Sequence, residues 1–193
     1  MPNLGDPENI ETLQALAHKK AQVVLFIRAG IETMPAAPAL LAAQALRHGV
    51  GAAGGLVRDA DGKIVHAGMA IGPDGFFRSI YSGLDPGEKG YFGLLLCARE
   101  VDGLDQLLWC TSRENLLAAI KALKKQAESH TSAYQSLIRF YHESGVRLIF
   151  DPRAKAVIER PIPDVLIPAG KTPGKRMYPA SLSSDPPCFR IRS

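Results

Sequence analysis

VGAAGGLVRDADGKIVHAG, residues Val50 to Gly68, is the stretch on which the reading of this chain turns. Asp61-Gly62 is a dipeptide that tight two-residue hairpin turns favour, because Gly adopts φ > 0 at no steric cost. Leu56-Val57 precede the turn and Ile64-Val65 follow it, so two strands are expected to pair across Asp61-Gly62. Glycines at 51, 54, 55 and 68 leave room for close backbone approach at both ends. On physical grounds alone the stretch is a hairpin in a sheet and carries no chemistry.

Outward from it, alternating helical and strand patterns fill the chain. Asp6-Pro7 is a helix start, with Ile10, Leu13, Leu16 and Ala17 at helical spacing and His18 to Lys20 at the end. Gln22 to Ile27 is a continuous apolar run of strand length, expected to be buried. Thr33, Pro35 and the Ala/Leu-rich run to Leu46 predict a second helix. Turn clusters at Gly72–Gly75 and Gly83–Gly87 predict a long surface loop from Met69 to Tyr91. Leu94–Ala98 and Leu107–Cys110 read as strands around a polar bend, Arg99–Asp105. Thr111-Ser112-Arg113-Glu114 reads as a capping box opening a helix through Leu123, with Lys121, Lys124 and Lys125 on its outer face. A helix over Ser132–Ser144 ends at Gly145, followed by strands at Val146–Phe150 and Lys155–Glu159. These patterns predict an α/β domain over residues 1–160, a mixed sheet flanked by helices. Residues 161–193 form a proline-rich tail that is not to be forced into helix or sheet.

The bulk numbers exclude more than they assign. At 193 residues, with 46% hydrophobic and 22% charged residues, the chain has the composition of a globular domain. A net charge of +4 and a pI near 9.0 are mildly basic. No strand interleaves aromatic with basic residues, so nucleic acid is ranked low as a partner. The three cysteines are far apart and define neither a zinc site nor a disulfide framework, and Cys97 and Cys110 sit in apolar runs that predict burial. No apolar run reaches transmembrane length and no signal-peptide core is visible, which makes a cytoplasmic location the default expectation.

Five segments in the same order resemble the catalytic domain of family-2 glycosyltransferases, the inverting nucleotide-sugar enzymes of bacterial surface-polysaccharide synthesis. VVLFIRAGIET (23–33) is similar to the family's metal-binding strand, and PAAPALLAAQALRHGVGAAGG (35–55) to the helix and turn after it. GYFGLLLCAREVDGLDQLLWCTSREN (90–115) resembles the acceptor-side segment, and YHESGVRLIFDPRAKAVI (141–158) the following helix end and strand. YPASLSSDPPCFRIR (178–192) resembles the family's tail. The resemblance implies a partial GT-A-like fold that keeps the acceptor-side half. Nothing in Met1–Lys20 resembles the half that holds the nucleotide.

The departures bear on chemistry. The family carries Asp-x-Asp at the end of the metal strand, because Mg²⁺ or Mn²⁺ takes hard carboxylate oxygens. This chain has Arg28-Ala29-Gly30 there, so no metal or other cofactor is expected. Arg28 could meet a phosphate directly; the simpler reading is a surface arginine where a site was lost. The family's general base is also missing, since Thr131–Ser136 holds no acid. Asp102 and Asp105 are the carboxylates left near the implied acceptor pocket, either as catalytic or acceptor-binding groups or as plain bend residues. Gln106 stands where the family has glycine. Arg28, His66, Tyr91 and Gln106 complete the substrate-binding set that the resemblance implies. The expectation is a degenerate glycosyltransferase-like protein that binds a saccharide acceptor or acts as a scaffold. The alternative is an active transferase completed by a nucleotide-sugar-binding partner chain or by self-association.

Overall fold

The computed structural model describes residues 20–123 and 133–159, with Leu13, Ala17 and the backbone of a strand at Ile167–Pro168. Strands β1 (Val23–Ile27) and β2 (Ile31–Thr33) lead into helix α1 (Ala37–Ala45). Strands β3 (Val50–Asp59), β4 (Ile64–His66), β5 (Met69–Ile71) and β6 (Phe76–Ser79) follow. A 3₁₀ turn at Tyr91–Gly93 precedes β7 (Arg99–Val101) and β8 (Leu108–Ser112). Helices α2 (Arg113–Leu123) and α3 (Ala133–Glu143) come before the long β9 (Arg147–Ile158), and β10 is Ile167–Pro168. Seven strands form one mixed sheet flanked by helices, in the order β1-β8-β3-β9-β2, with β4 added to β3 and β7 to β9. Among the described residues only β3 and β9 run parallel; the other pairs are antiparallel.

The pleat sorts the core. Alternate residues of β3 face opposite sides, so Ala53 and Val57 meet Ala37, Leu41 and Ala45 of α1, while Ala52 and Leu56 join the core under α2 and α3. Trp109 of β8 points to this second side and stacks on Phe26 at 4.1 Å between ring centroids. Where β3 meets β9, Gly55 lies opposite Asp151 but Leu56 lies opposite Lys155. Pro152 to Ala154 bulge out there, a place where proline costs no ladder bond. A Cβ on Gly55 would come within 2.3 Å of the Ala154 carbonyl oxygen, so glycine is what lets the two backbones meet. Asp151 inside the bulge accepts from Gln44 Nε2 at 2.9 Å and from Arg153 Nη2 at 2.7 Å, which pins α1 to the sheet.

Several expectations stand and several are corrected. β3 and β4 do pair across Asp61-Gly62, with Val57 opposite His66. The turn is longer than the two-residue form: Asp59 N–H donates to the Lys63 carbonyl, and only Gly62 has positive φ, at 82°. That is a three-residue loop closed by a glycine bulge. Met69–Tyr91 is a loop only beyond Ser79. It contains β5 and β6, which form an antiparallel sheet with β10, and Phe77 is fully buried. The Gly72–Gly75 cluster is the hairpin turn between them, closed by Gly72 N–H to the Phe76 carbonyl at 2.8 Å. Leu94–Ala98 is a turn rather than a strand, and Cys97 is exposed; the polar bend supplies β7 instead. β1 is half-buried rather than buried, with Ile27 44% exposed.

The α2 cap is Ser112, whose Oγ accepts from Asn115 N–H at 3.1 Å. Thr111 points the other way into the core, where its hydroxyl bonds the Gly51 carbonyl at 2.7 Å. The pleat, not the identity of the hydroxyl, decides between them. The two strands expected at 146–150 and 155–159 are one strand, β9, interrupted by the bulge. Ile167–Pro168, in the segment expected to be irregular, pairs with β6. The first helix reading, apart from buried, helical Leu13 and Ala17, lies outside the described residues. So do His18, Lys124, Lys125, Thr131, Ser132 and the resemblance at 178–192. Among the described residues no helix is long and apolar enough to cross a membrane.

Candidate functional site

Three separate segments meet where β1 ends. Arg28 follows the last residue of β1, and its amide donates to the Leu107 carbonyl at 3.0 Å just before β8. Arg28-Ala29-Gly30 makes a tight turn, closed by Ile31 N–H to the Arg28 carbonyl at 3.2 Å. Beside Leu107, Gln106 donates its amide to its neighbour Asp105 Oδ1 at 2.5 Å. The Asp105 amide in turn points at His66 Nε2, 3.4 Å away at the end of β4. Pairing of β1 with β8 and of β4 with β3 thus gathers Arg28, Gln106, Asp105 and His66 from positions scattered along the chain.

His66 is fully buried, and its Nε2 also accepts from Gly68 N–H at 3.2 Å. With two amides donating to Nε2, the network assigns the proton to Nδ1, which has no partner among the described residues. Burial, reinforced by the Arg99 guanidinium, pushes the His66 pKa down to about 3, so the ring is neutral at physiological pH. Arg99 donates to the Ala67 carbonyl at 2.7 Å and lies 4.4 Å from the Phe150 ring centroid. This cation–π contact keeps a charge at the edge of the core.

The other candidates lie apart from that cluster. Asp102 is buried in the seam against β5, where its carboxylate accepts from Ile71 N–H at 3.2 Å. Burial raises its pKa, partly opposed by the Ile71 N–H and by His142 of α3. Asp102 and Asp105 therefore serve different neighbours despite their spacing. Tyr91 sits on the exposed 3₁₀ turn and packs edge-on against Phe92, with ring centroids 4.4 Å apart. Arg99, at the Ala67 carbonyl, and His142, beside Asp102, are neighbours of these candidates that no sequence motif marked. Tyr134 is another: its hydroxyl donates to the Leu104 carbonyl and is held protonated by burial and by the nearby Asp105.

The turn at Arg28–Gly30 offers a guanidinium, a methyl group and a glycine, a donor set that does not fit Mg²⁺ or Mn²⁺. Among the described residues no three His, Cys, Asp or Glu side chains group closely enough to hold a metal ion. What joins the cluster is backbone: the Arg28 amide on the Leu107 carbonyl, the Gln106 amide on the Asp105 carboxylate and the Asp105 amide on His66. No protein-family model matches the chain, and no curated protein matches it significantly.

Proposed function

We propose that this protein is a glycosyltransferase-like domain of the family-2 type that has lost its donor chemistry and serves as a saccharide-binding or scaffolding module in surface-polysaccharide assembly. One observation carries the reading. The residues that the resemblance assigns to the metal strand, the acceptor pocket and the substrate-binding set meet in space as Arg28, Gln106, Asp105 and His66. A guanidinium occupies the strand end where a carboxylate pair would hold a metal diphosphate. No transfer step is assigned to these residues. The test is thermal denaturation with nucleoside diphosphates, with and without Mn²⁺. No Mn²⁺-dependent rise in melting temperature is expected, and a ligand-linked rise that requires Mn²⁺ would overturn the reading.

A second reading, an active nucleotide-sugar glycosyltransferase completed by a partner chain or a second copy, is favoured by β1. Its uninterrupted Val-Val-Leu-Phe-Ile run pairs only with β8 among the described residues, which leaves one flank for a further strand. A stoichiometric partner carrying an Asp-x-Asp strand in a pull-down would establish it.

A further inference from the structure

The turn that follows Gly90 is built inside out. From Tyr91 to Ala98 the chain has no charged residue, yet only Leu95 is buried. Phe92 is 88% exposed and Leu96 65%. Phe92 also has φ 48° and ψ 31°, a left-handed conformation that side chains with a Cβ rarely take. The other described non-glycine residue with positive φ is Tyr81, in the same loop, at φ 64°. Tyr81 is 4% exposed, so burial offsets its strain. Phe92 has strain and solvent together. The turn enforces this through its own bonds: Gly93 N–H to the Gly90 carbonyl, Leu94 to Tyr91 and Leu95 to Lys89, at 3.0–3.2 Å. Strain kept with only the Tyr91 edge contact in return points to a ligand.

We propose that Tyr91 and Phe92 form a stacking platform for a pyranose ring of the saccharide acceptor; the proposal rests on the acceptor-binding reading above. The two rings stand at 82° to one another, 4.4 Å between centroids, so one face can lie under a sugar while the other stands beside it. A pyranose suits that corner because its faces present C–H bonds and its rim presents hydroxyls. The platform is also continuous with the His66 cluster. Gly90 packs on the Tyr81 ring, the Arg99 guanidinium lies 5.7 Å from that ring's centroid, and Arg99 bonds the carbonyl next to His66. The chain leading into the turn carries both signs, Asp85 and Glu88 against Lys89, and not the cationic collar that an anionic bilayer favours.

The test uses the full chain and methyl glycosides of glucose, galactose, mannose and N-acetylglucosamine, each at on the order of tens of millimolar, read by saturation-transfer NMR. At least one glycoside is expected to bind. Phe92→Gly should weaken it at least tenfold while raising the melting temperature by about 2 °C, because strain is relieved and almost no buried surface is lost. Phe92→Tyr should keep the binding. Unchanged affinity in Phe92→Gly, or a lower melting temperature in that variant, would overturn the platform. So would binding to phosphatidylglycerol vesicles that depends on Phe92 with no glycoside bound. Gln106→Ala separates the two ideas. Affinity that falls there but not at position 92 removes the platform and keeps the acceptor site; the opposite pattern keeps the platform and removes the acceptor site. No glycoside bound by any variant removes both.

Discussion

His66 is buried and neutral, so acid should undermine the fold through it. Its pKa falls from 6.5 to about 3 on folding. At about 1.4 kcal/mol per pKa unit, full linkage is roughly 5 kcal/mol. Between those two values the unfolded chain binds a proton that the folded chain refuses, so stability drops as the pH drops. By about pH 4.5 the loss from this residue is about 3 kcal/mol, and it levels off below pH 3. His66→Gln keeps an acceptor for the Gly68 and Asp105 amides and has no proton to take up. Urea denaturation followed by circular dichroism, at several pH values from about 7.5 to 4.5, gives the stability of each protein. The variant starts less stable at neutral pH because it loses imidazole packing. The gap should then close by about 3 kcal/mol, leaving the variant equal or ahead in acid. Two stability curves that stay parallel across that range would refute a buried, neutral His66.

Other perturbations test the scaffold around the site. Gly55→Ala drives a methyl group against the Ala154 carbonyl and Leu108; a loss of about 3 kcal/mol, roughly 6–12 °C by calorimetry, is expected. Thr111→Val removes the buried bonds to the Gly51 carbonyl and to the Tyr141 hydroxyl; it should cost about 1–3 kcal/mol in urea melts, and Tyr141→Phe added to it should cost less than it does alone. Asp151→Asn weakens the links to Gln44 and Arg153, at about 2 kcal/mol. Burial raises the Asp151 pKa, but hydrogen bonds from Arg153 and Gln44 outweigh it and hold the group below its ordinary 3.8. Its contribution is therefore present above that value and lost as the pH falls through the lowered pKa, so the two proteins should converge in strong acid.

Elements with a strong local signal were legible in the sequence. The hairpin, β8, α2, α3 and most of β9 follow from apolar periodicity and turn chemistry. Failures came where a local signal has two meanings. Gly72–Gly75 marks a loop or a hairpin, and only the burial of Phe77 against the main sheet makes it a hairpin. Arg99-Glu100-Val101 looks like a bend because two of its three residues are charged, yet pairing with β9 turns it into a strand. Cys97 sits in an apolar run that the turn projects outward. The resemblance names Arg28, Gln106, Asp105 and His66 one by one and says nothing of their meeting. They meet through strand pairs whose partners are dozens of residues apart, and no spacing encodes that. The positive φ at Phe92 left no trace in the sequence, since phenylalanine is not the residue that such a backbone prefers.

The parallel pairing of β3 with β9 sets a timetable. Val50 lies opposite Arg147, so the central pair of the sheet closes across about a hundred residues of intervening chain, a costly loop that slows folding. During synthesis the β9 flank of β3 must wait unpaired until β9 itself, beyond α3, has left the ribosome. A fragment ending before Arg147 therefore lacks the strand that completes its centre and should be degraded or aggregate rather than persist as a smaller domain.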